Sequence, residues 1–186
     1  MKGIGGHHRA FRGATDVWLT PPELIKALGP FDIDPCAAPE PRPWKTAHVM
    51  WSPPTDGLAM AWGGRIWMNP PYGPQTGKWL KKLADHGNGM ALIFARTETA
   101  MFFEQVWNRA DAILFFAGRL FFCYPDGRKA SANAGGPSCL IAYGQNKVDV
   151  LNSVSELGKV VVLSGDGGYS TREYTHGEKE GDHDGK

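Results

Sequence analysis

Residues 90–95 and 112–117 are two short runs without a single polar side chain, and they constrain the fold more than any other feature of the chain. A run that cannot show a polar face to water must be covered on both sides. That is the situation of an inner strand in a largely parallel sheet. The stretches around them have helical spacing. Residues 76–86 put Trp79, Leu80, Leu83 and Ala84 on one face and stop at Gly87 or Gly89. Residues 97–108 form a second helix and residues 148–157 a last one. Residues 31–34, 65–68, 120–124, 138–143 and 159–163 complete a set of short strands. Strands alternating with helices predict an α/β domain of three layers: a mostly parallel sheet, helices on both faces, and a late antiparallel hairpin joining 120–124 to 138–143.

One such domain suits 186 residues. The chain divides into an N-terminal arm at 1–13, a folded domain at 14–167 and a charged, disordered tail at 168–186. No run approaches the roughly 18 apolar residues of a membrane span. The first twelve residues lack the apolar core of a secretory signal. Cys36, Cys123 and Cys139 are too few and too scattered for a disulfide framework or a zinc site, so reduced thiols and a cytoplasmic location are expected. The six histidines show no metal-ligand spacing. A net charge of +1 neither demands nor forbids a nucleic-acid partner.

Asn69-Pro70-Pro71-Tyr72 follows an apolar strand, so it lies at the strand's carboxyl end, where open α/β sheets place their ligands. Two prolines fix φ and offer no N–H, so the turn is rigid. It can hold the Asn69 side-chain oxygen and the Pro70 carbonyl as two neighbouring acceptors. An exocyclic amine has two hydrogens to give, and accepting both draws its nitrogen toward a nucleophilic, tetrahedral form. Tyr72 adds a flat face for a base. The same four residues also fit a plain proline-rich turn with a capping Asn.

Asp34-Pro35-Cys36-Ala37 ends another strand. A carboxylate beside exposed amides suits the amino group of a small ligand, although an Asp-Pro turn by itself is more often only a turn. Trp18-Leu19-Thr20-Pro21 reads as the capped start of a helix over 21–28, with Thr20 as the cap; helix N-termini attract carboxylates. Residues 35–64 hold six prolines and three tryptophans and read as irregular; so long a loop in a compact domain is usually functional. Gly118-Arg119-Leu120-Phe121-Phe122 offers a cation for phosphate and rings for a base, with one phenylalanine expected in the core. Arg128 and Lys129, in the polar excursion after it, and Arg9 and Arg12 in the arm, are further candidates for DNA. Lys78, Lys81 and Lys82 read as a solvated helix face.

Together, Trp18-x-Thr20-Pro21, Asp32-x-Asp34-Pro35, Asp56-Gly57-Leu58, Asn69-Pro70-Pro71-Tyr72, Arg96-x-x-Thr99 and Gly118-Arg119-Leu120-x-Phe122 resemble the S-adenosyl-L-methionine-dependent amino-methyltransferases. More narrowly, they resemble the small phage and prophage DNA N-6-adenine methyltransferase (Dam) family. The resemblance covers about residues 15–143. It implies a reduced Rossmann-like methyltransferase fold, DNA as partner, and methyl transfer to adenine N6 on a flipped-out base. It further implies that Trp18, Thr20, Pro21, Asp34, Pro35, Cys36 and Ala37 hold the methionine part of S-adenosylmethionine, and that Asp56 lies near its adenosine. Asn69, Pro70, Pro71 and Tyr72 would grip the target amine and ring. Phe121 or Phe122 would pack on the other face of the base. Independently of the resemblance, the clustered charges of Arg119, Arg128 and Lys129 are expected to contact phosphate. One departure stands out. Ala37-Ala38-Pro39 replaces the Gly-rich turn of larger relatives, and the acidic residue that usually takes the ribose hydroxyls has no clear equivalent. Methylation of cytosine N4, methylation of a protein glutamine, and a non-catalytic DNA-binding role are the alternatives.

Overall fold

The computed structural model describes residues 17–163. The arm, with Arg9 and Arg12, and the charged tail lie outside the described residues.

Among the described residues, seven strands form one sheet in the order β2-β1-β3-β4-β6-β5-β7. They are β1 (Ile33–Asp34), β2 (Val49–Met50), β3 (Ile66–Met68), β4 (Gly89–Phe94), β5 (Ala112–Phe116), β6 (Ser138–Tyr143) and β7 (Gly158–Val162). From β2 to β4 every pairing is parallel. Beyond β4 every pairing is antiparallel, because β6 runs back between β4 and β5, and β7 runs back along the outer side of β5. Five strands therefore point one way, and their carboxyl ends share an edge.

The helices are α1 (Pro22–Leu28), α2 (Thr76–His86), α3 (Ala100–Phe102, passing into a π turn over Phe103–Trp107) and α4 (Gln145–Asn152). Period-two alternation along the strands sends side chains to two separate cores. Trp67, Met90, Leu92, Ala112, Leu114, Leu140 and Ala142 meet Leu24, Ile25 and Leu28 of α1 and Leu151 of α4. Ile66, Met68, Ala91, Ile93, Ile113, Cys139 and Ile141 meet Trp79, Leu80 and Leu83 of α2, Phe102 of α3 and Val106 of its π turn. Three layers result, with helices on both faces, as the apolar runs require. Among the described residues, no helix is long and apolar enough to cross a membrane.

Several boundaries differ from expectation. Residues 120–124 do not pair with 138–143. They fold on themselves in a short hairpin, in which Tyr124 N–H donates to the Arg128 carbonyl and Ala130 N–H to the Phe122 carbonyl, at 2.8 Å each. Pro125-Asp126-Gly127 makes the turn, with Gly127 at φ +88° and proline and aspartate suited to its first half. The long apolar strand 138–143 instead takes the place between β4 and β5, where both its edges find partners. Helix α1 starts one residue late, with Pro21 rather than Thr20 at the N-cap. The helix expected over 97–108 begins only after Thr99, whose hydroxyl bonds the Arg96 carbonyl (2.8 Å) and accepts from Phe102 N–H. The strand β2, inside the proline-rich stretch, has no counterpart in the sequence reading.

Candidate functional site

The chain leaves β1 to one side, to form β2, and returns on its other side as β3. The carboxyl ends of β1 and β3 therefore flank the point where the strand order reverses, the place where open α/β sheets hold ligands. A cavity of about 510 Å³ opens there, within the range of small-molecule sites. It brings together most of the residues singled out from sequence: Trp18, Thr20, Asp34, Pro35, Cys36, Ala37, Asp56 and all of Asn69-Pro70-Pro71-Tyr72. Pro21 is buried as the cap of α1 and does not line it.

Asp34, only 3% exposed, forms the floor. Its Oδ1 accepts from the Cys36 backbone N–H at 3.1 Å and its Oδ2 from the Thr46 hydroxyl. Burial pushes its carboxyl up to about 6, against the opposing pull of these bonds and of the Arg42 guanidinium. A carboxylate offers about four lone-pair positions, so these two bonds leave capacity for a ligand's ammonium group. Backbone bonds stitch the floor to the wall, from Trp51 N–H to the Asp34 carbonyl and from Ala37 N–H to the Trp51 carbonyl, each 2.9 Å. Burial and the nearby Asp34 charge hold the Cys36 thiol well above its usual range, with the Asn69 backbone N–H opposing them. Cys36 therefore stays a neutral thiol here, not a nucleophile.

Asp56-Gly57-Leu58 closes one side. Asp56 Oδ1 accepts from Leu58 N–H at 2.9 Å. Gly57 lies so close to the Asp34-Pro35 turn that a Cβ would sit 1.8 Å from the Pro35 carbonyl oxygen, so no other residue fits. The segment is tied down by Trp62 Nε1–H donating to the Gly57 carbonyl (2.8 Å) and by Lys82 Nζ donating to the carbonyls of Leu58 and Met60. Lys82 is thus a strut, with its ammonium also over the Trp62 ring at 4.8 Å, and not part of a solvated face. Lys81 keeps the surface role, paired with Asp85 one turn on.

At the end of β3, Asn69 is oriented through its amide. Nδ2 donates to the Trp18 carbonyl and Oδ1 accepts from the Tyr72 hydroxyl, both at 3.4 Å. Bonds this long are weak, and leave Oδ1 free to accept a better donor. The turn after it is anchored to α2, because the Thr76 hydroxyl donates to the Pro71 carbonyl (2.8 Å) and accepts from Gly73 N–H (3.1 Å). Tyr72 is 39% exposed. One of its faces is covered by Phe94, with ring centroids 4.4 Å apart and planes 18° from parallel.

The two phenylalanines expected to face a base lie away from the cavity. Phe122 is 6% exposed and packs in the α1 and α4 core. Phe121 reaches the surface, but under the Lys129 ammonium, 4.6 Å from its ring. Neither lines the cavity, and the ring beside Tyr72 is Phe94. Arg119, Arg128 and Lys129 are exposed. Arg119 donates to the Ala134 carbonyl at 3.2 Å, and Arg128 pairs with Asp126 at 2.7 Å. The hairpin that carries them leans on the cavity from outside. Leu19 and Cys123 exchange both backbone hydrogen bonds at 2.9 Å, Trp18 and Tyr124 rings lie 5.4 Å apart, and Gly127 abuts Pro43 and Trp44.

Sequence reasoning missed Arg42, Trp44, Thr46, Trp51 and residues 52–55, which also line the cavity. The clue was the density of tryptophan and proline between 35 and 64; which residues turn inward depends on β2. The cavity thus has aromatic walls of Trp44 and Trp51, a buried carboxylate at one end, and an acceptor-bearing turn at the mouth. That arrangement suits a small ligand with a flat part and a polar part.

A model of the DNA N-6-adenine-methyltransferase (Dam) family matches residues 9–159. No curated protein and no solved structure matches the chain.

Proposed function

Because the chain belongs to the DNA N-6-adenine-methyltransferase (Dam) family, we propose that its cavity binds S-adenosyl-L-methionine and that Asn69-Pro70-Pro71-Tyr72 presents a flipped-out adenine for methylation at N6. The observation that carries this is the shared cavity at the strand reversal. Asp34 ends β1, Asn69 directly follows β3, and both line the same space. We read the sheet as a reduced Rossmann-like methyltransferase sheet on the same ground.

Bound S-adenosylmethionine would supply a sulfonium methyl group: as the amine nitrogen bonds to that carbon the S–C bond breaks, S-adenosylhomocysteine leaves as the neutral thioether, and the methylated amine gives up one proton to water. The protein's part is binding, positioning and hydrogen bonding. Asp34 accepts from the ammonium group of the methionine end. Trp44 and Trp51 flank the purine, and Asp56 stands near the adenosine. At the mouth, Asn69 Oδ1 and the Pro70 carbonyl accept the two hydrogens of the adenine amine, localising its lone pair on nitrogen. Tyr72 stacks on the extruded ring with the face that Phe94 leaves open. Flipping costs a few kcal/mol, and stacking returns part of it. Arg119, Arg128 and Lys129 contact DNA phosphate. Arg9 and Arg12 of the arm add to that contact, and the enzyme works in the cytoplasm of a bacterial host as a phage or prophage product.

The test is incubation with methyl-labelled S-adenosylmethionine and either DNA or a protein extract, followed by mass spectrometry of the digested product. N6-methyladenine is the expected product. N4-methylcytosine, or labelled protein without labelled DNA, would overturn the assignment.

A further inference from the structure

Arg42 is the only Lys or Arg among the described residues that line the cavity. Its side chain is 12% exposed, and the acid it pairs with directly lies largely in solvent. Nη1 donates to the Ala38 carbonyl, and Nη2 pairs at 2.9 Å with Glu40, which is itself 66% exposed. Nε is fully buried and has no hydrogen-bond partner. A buried cationic donor left unsatisfied is costly, and native proteins rarely keep one without a reason. The guanidinium also lies close enough to Asp34 to favour its ionised form.

A buried carboxylate and a largely buried guanidinium in one cavity are the complement of an α-amino acid zwitterion. The loop geometry explains why an arginine takes this place. Where a Gly-rich turn would offer backbone N–H groups to a carboxylate, this chain has Ala37-Ala38-Pro39, and proline has no N–H to give. The Ala38 carbonyl there instead faces the arginine and holds it.

We propose that Arg42 binds the α-carboxylate of the methionine end of S-adenosylmethionine, opposite Asp34 on the ammonium. This rests on the cofactor reading above and adds a residue outside the motifs that carry the resemblance. A phosphate of DNA is the other anion an arginine could take, but a side chain so little exposed inside the cavity is out of reach of a duplex backbone.

The test compares S-adenosylmethionine with its decarboxylated analogue, which keeps the sulfonium, adenosine and amine but lacks the carboxylate. Calorimetry gives the affinity of each for the wild-type chain, Arg42→Gln and Arg42→Lys, with a thermal melt to check folding. The wild type should prefer S-adenosylmethionine by about tenfold or more, as expected for one charge-assisted bond. Arg42→Gln should lose that preference by weakening S-adenosylmethionine alone, and Arg42→Lys should restore part of it. A wild type that binds both ligands equally overturns the assignment without any variant, as does a folded Arg42→Gln that still discriminates. Adenine methylation with intact discrimination in Arg42→Gln would leave the function standing and remove only Arg42. If the wild type binds neither ligand, the cofactor reading and the Arg42 assignment fall together.

Discussion

The ring of Tyr72 lies flat on that of Phe94, with centroids 4.4 Å apart, although one follows β3 and the other ends β4. The two strands are parallel neighbours, with Met68 in register with Ala91, so their carboxyl ends emerge side by side. Phe94 therefore braces Tyr72 from behind and fixes the plane on which a base would stack. An aromatic pair of this kind contributes about 0.5–1.5 kcal/mol beyond its buried area. Phe94→Leu should lower the single-turnover methylation rate roughly three- to tenfold. The affinity for S-adenosylmethionine should not change. A rate equal to wild type would show that Tyr72 needs no brace.

Tyr72→Ala should cost more, because it removes the stacking face itself, worth about 1–3 kcal/mol per base. Affinity for DNA with a mispaired or unpaired target adenine should fall, together with the rate. Tyr72→Phe loses only a 3.4 Å bond to Asn69 and should be mild. Fluorescence anisotropy with matched and mispaired duplexes separates the variants. Equal loss in both would assign the effect to the hydroxyl, not the ring.

The two strand ends that carry Asp34 and Asn69 are legible in the sequence, because a strand running into a proline-fixed turn declares both its direction and its end. Helix α2 is legible to the residue, since Trp79, Leu80 and Leu83 keep helical spacing and Gly87 stops it. Two features are not legible, for different reasons. β2 is two residues long, too short to show any period, and exists because Val49 and Met50 find the free edge of β1. Arg42 sits in a loop with no periodicity, and its burial is decided by where the chain passes after Pro39. Residues 120–124 misled for a third reason. Their apolar character is that of a strand, but Pro125-Asp126-Gly127 closes a local hairpin before they can reach 138–143.

The buried Asp34 carboxyl gives opposite pH trends for stability and for ligand binding. Its pKa in the folded chain is about 6, above the ordinary value of 3.8, because burial disfavours the charge. A raised carboxyl pKa means the folded state holds the proton more tightly than the unfolded one. Its contribution is then complete below about 3.8 and is lost as pH rises through about 6, a change on the order of 3 kcal/mol. The ligand-free protein should thus lose stability between pH 4 and 7 from this group, while affinity for S-adenosylmethionine rises over the same window as the carboxylate forms. Thermal melts and calorimetry on wild type and Asp34→Ala check both. Asp34→Ala should bind S-adenosylmethionine clearly more weakly at pH 7.5, and its affinity should lose the pH dependence near 6. An affinity unchanged by the substitution in a folded protein would remove Asp34 from the site.

Arg128 is held by Asp126 at 2.7 Å, in an ion pair exposed on both sides. Exposed pairs are worth about 0–1 kcal/mol, so a phosphate can displace this one. Arg128→Ala combined with Lys129→Ala should weaken binding to all DNA sequences alike and flatten the dependence of affinity on salt. Asp126→Asn should act in the opposite direction, freeing Arg128 and tightening DNA binding a few-fold. Salt titrations of the three proteins decide the matter. If none of these changes moves the affinity or the salt slope, DNA approaches the cavity from another side.

Asn69→Ala is the variant that bears most directly on the chemistry. The substitution removes Oδ1 but keeps Pro70 and Pro71, and the turn stays anchored through Thr76. Only two weak bonds at 3.4 Å are lost from the resting protein, so the fold should stand. The amine of the substrate, however, would have one acceptor in place of two when its lone pair must leave the ring. Losing a hydrogen bond that strengthens in the transition state typically costs about 3–4 kcal/mol, or roughly two to three orders of magnitude in rate. That loss should appear in single-turnover methylation, while calorimetry shows S-adenosylmethionine binding within about twofold of wild type. Asn69→Asp keeps an acceptor in the same place and should lose less than Asn69→Ala. Full activity in Asn69→Ala would mean that the amine is activated elsewhere and that the turn serves only to shape the cavity mouth.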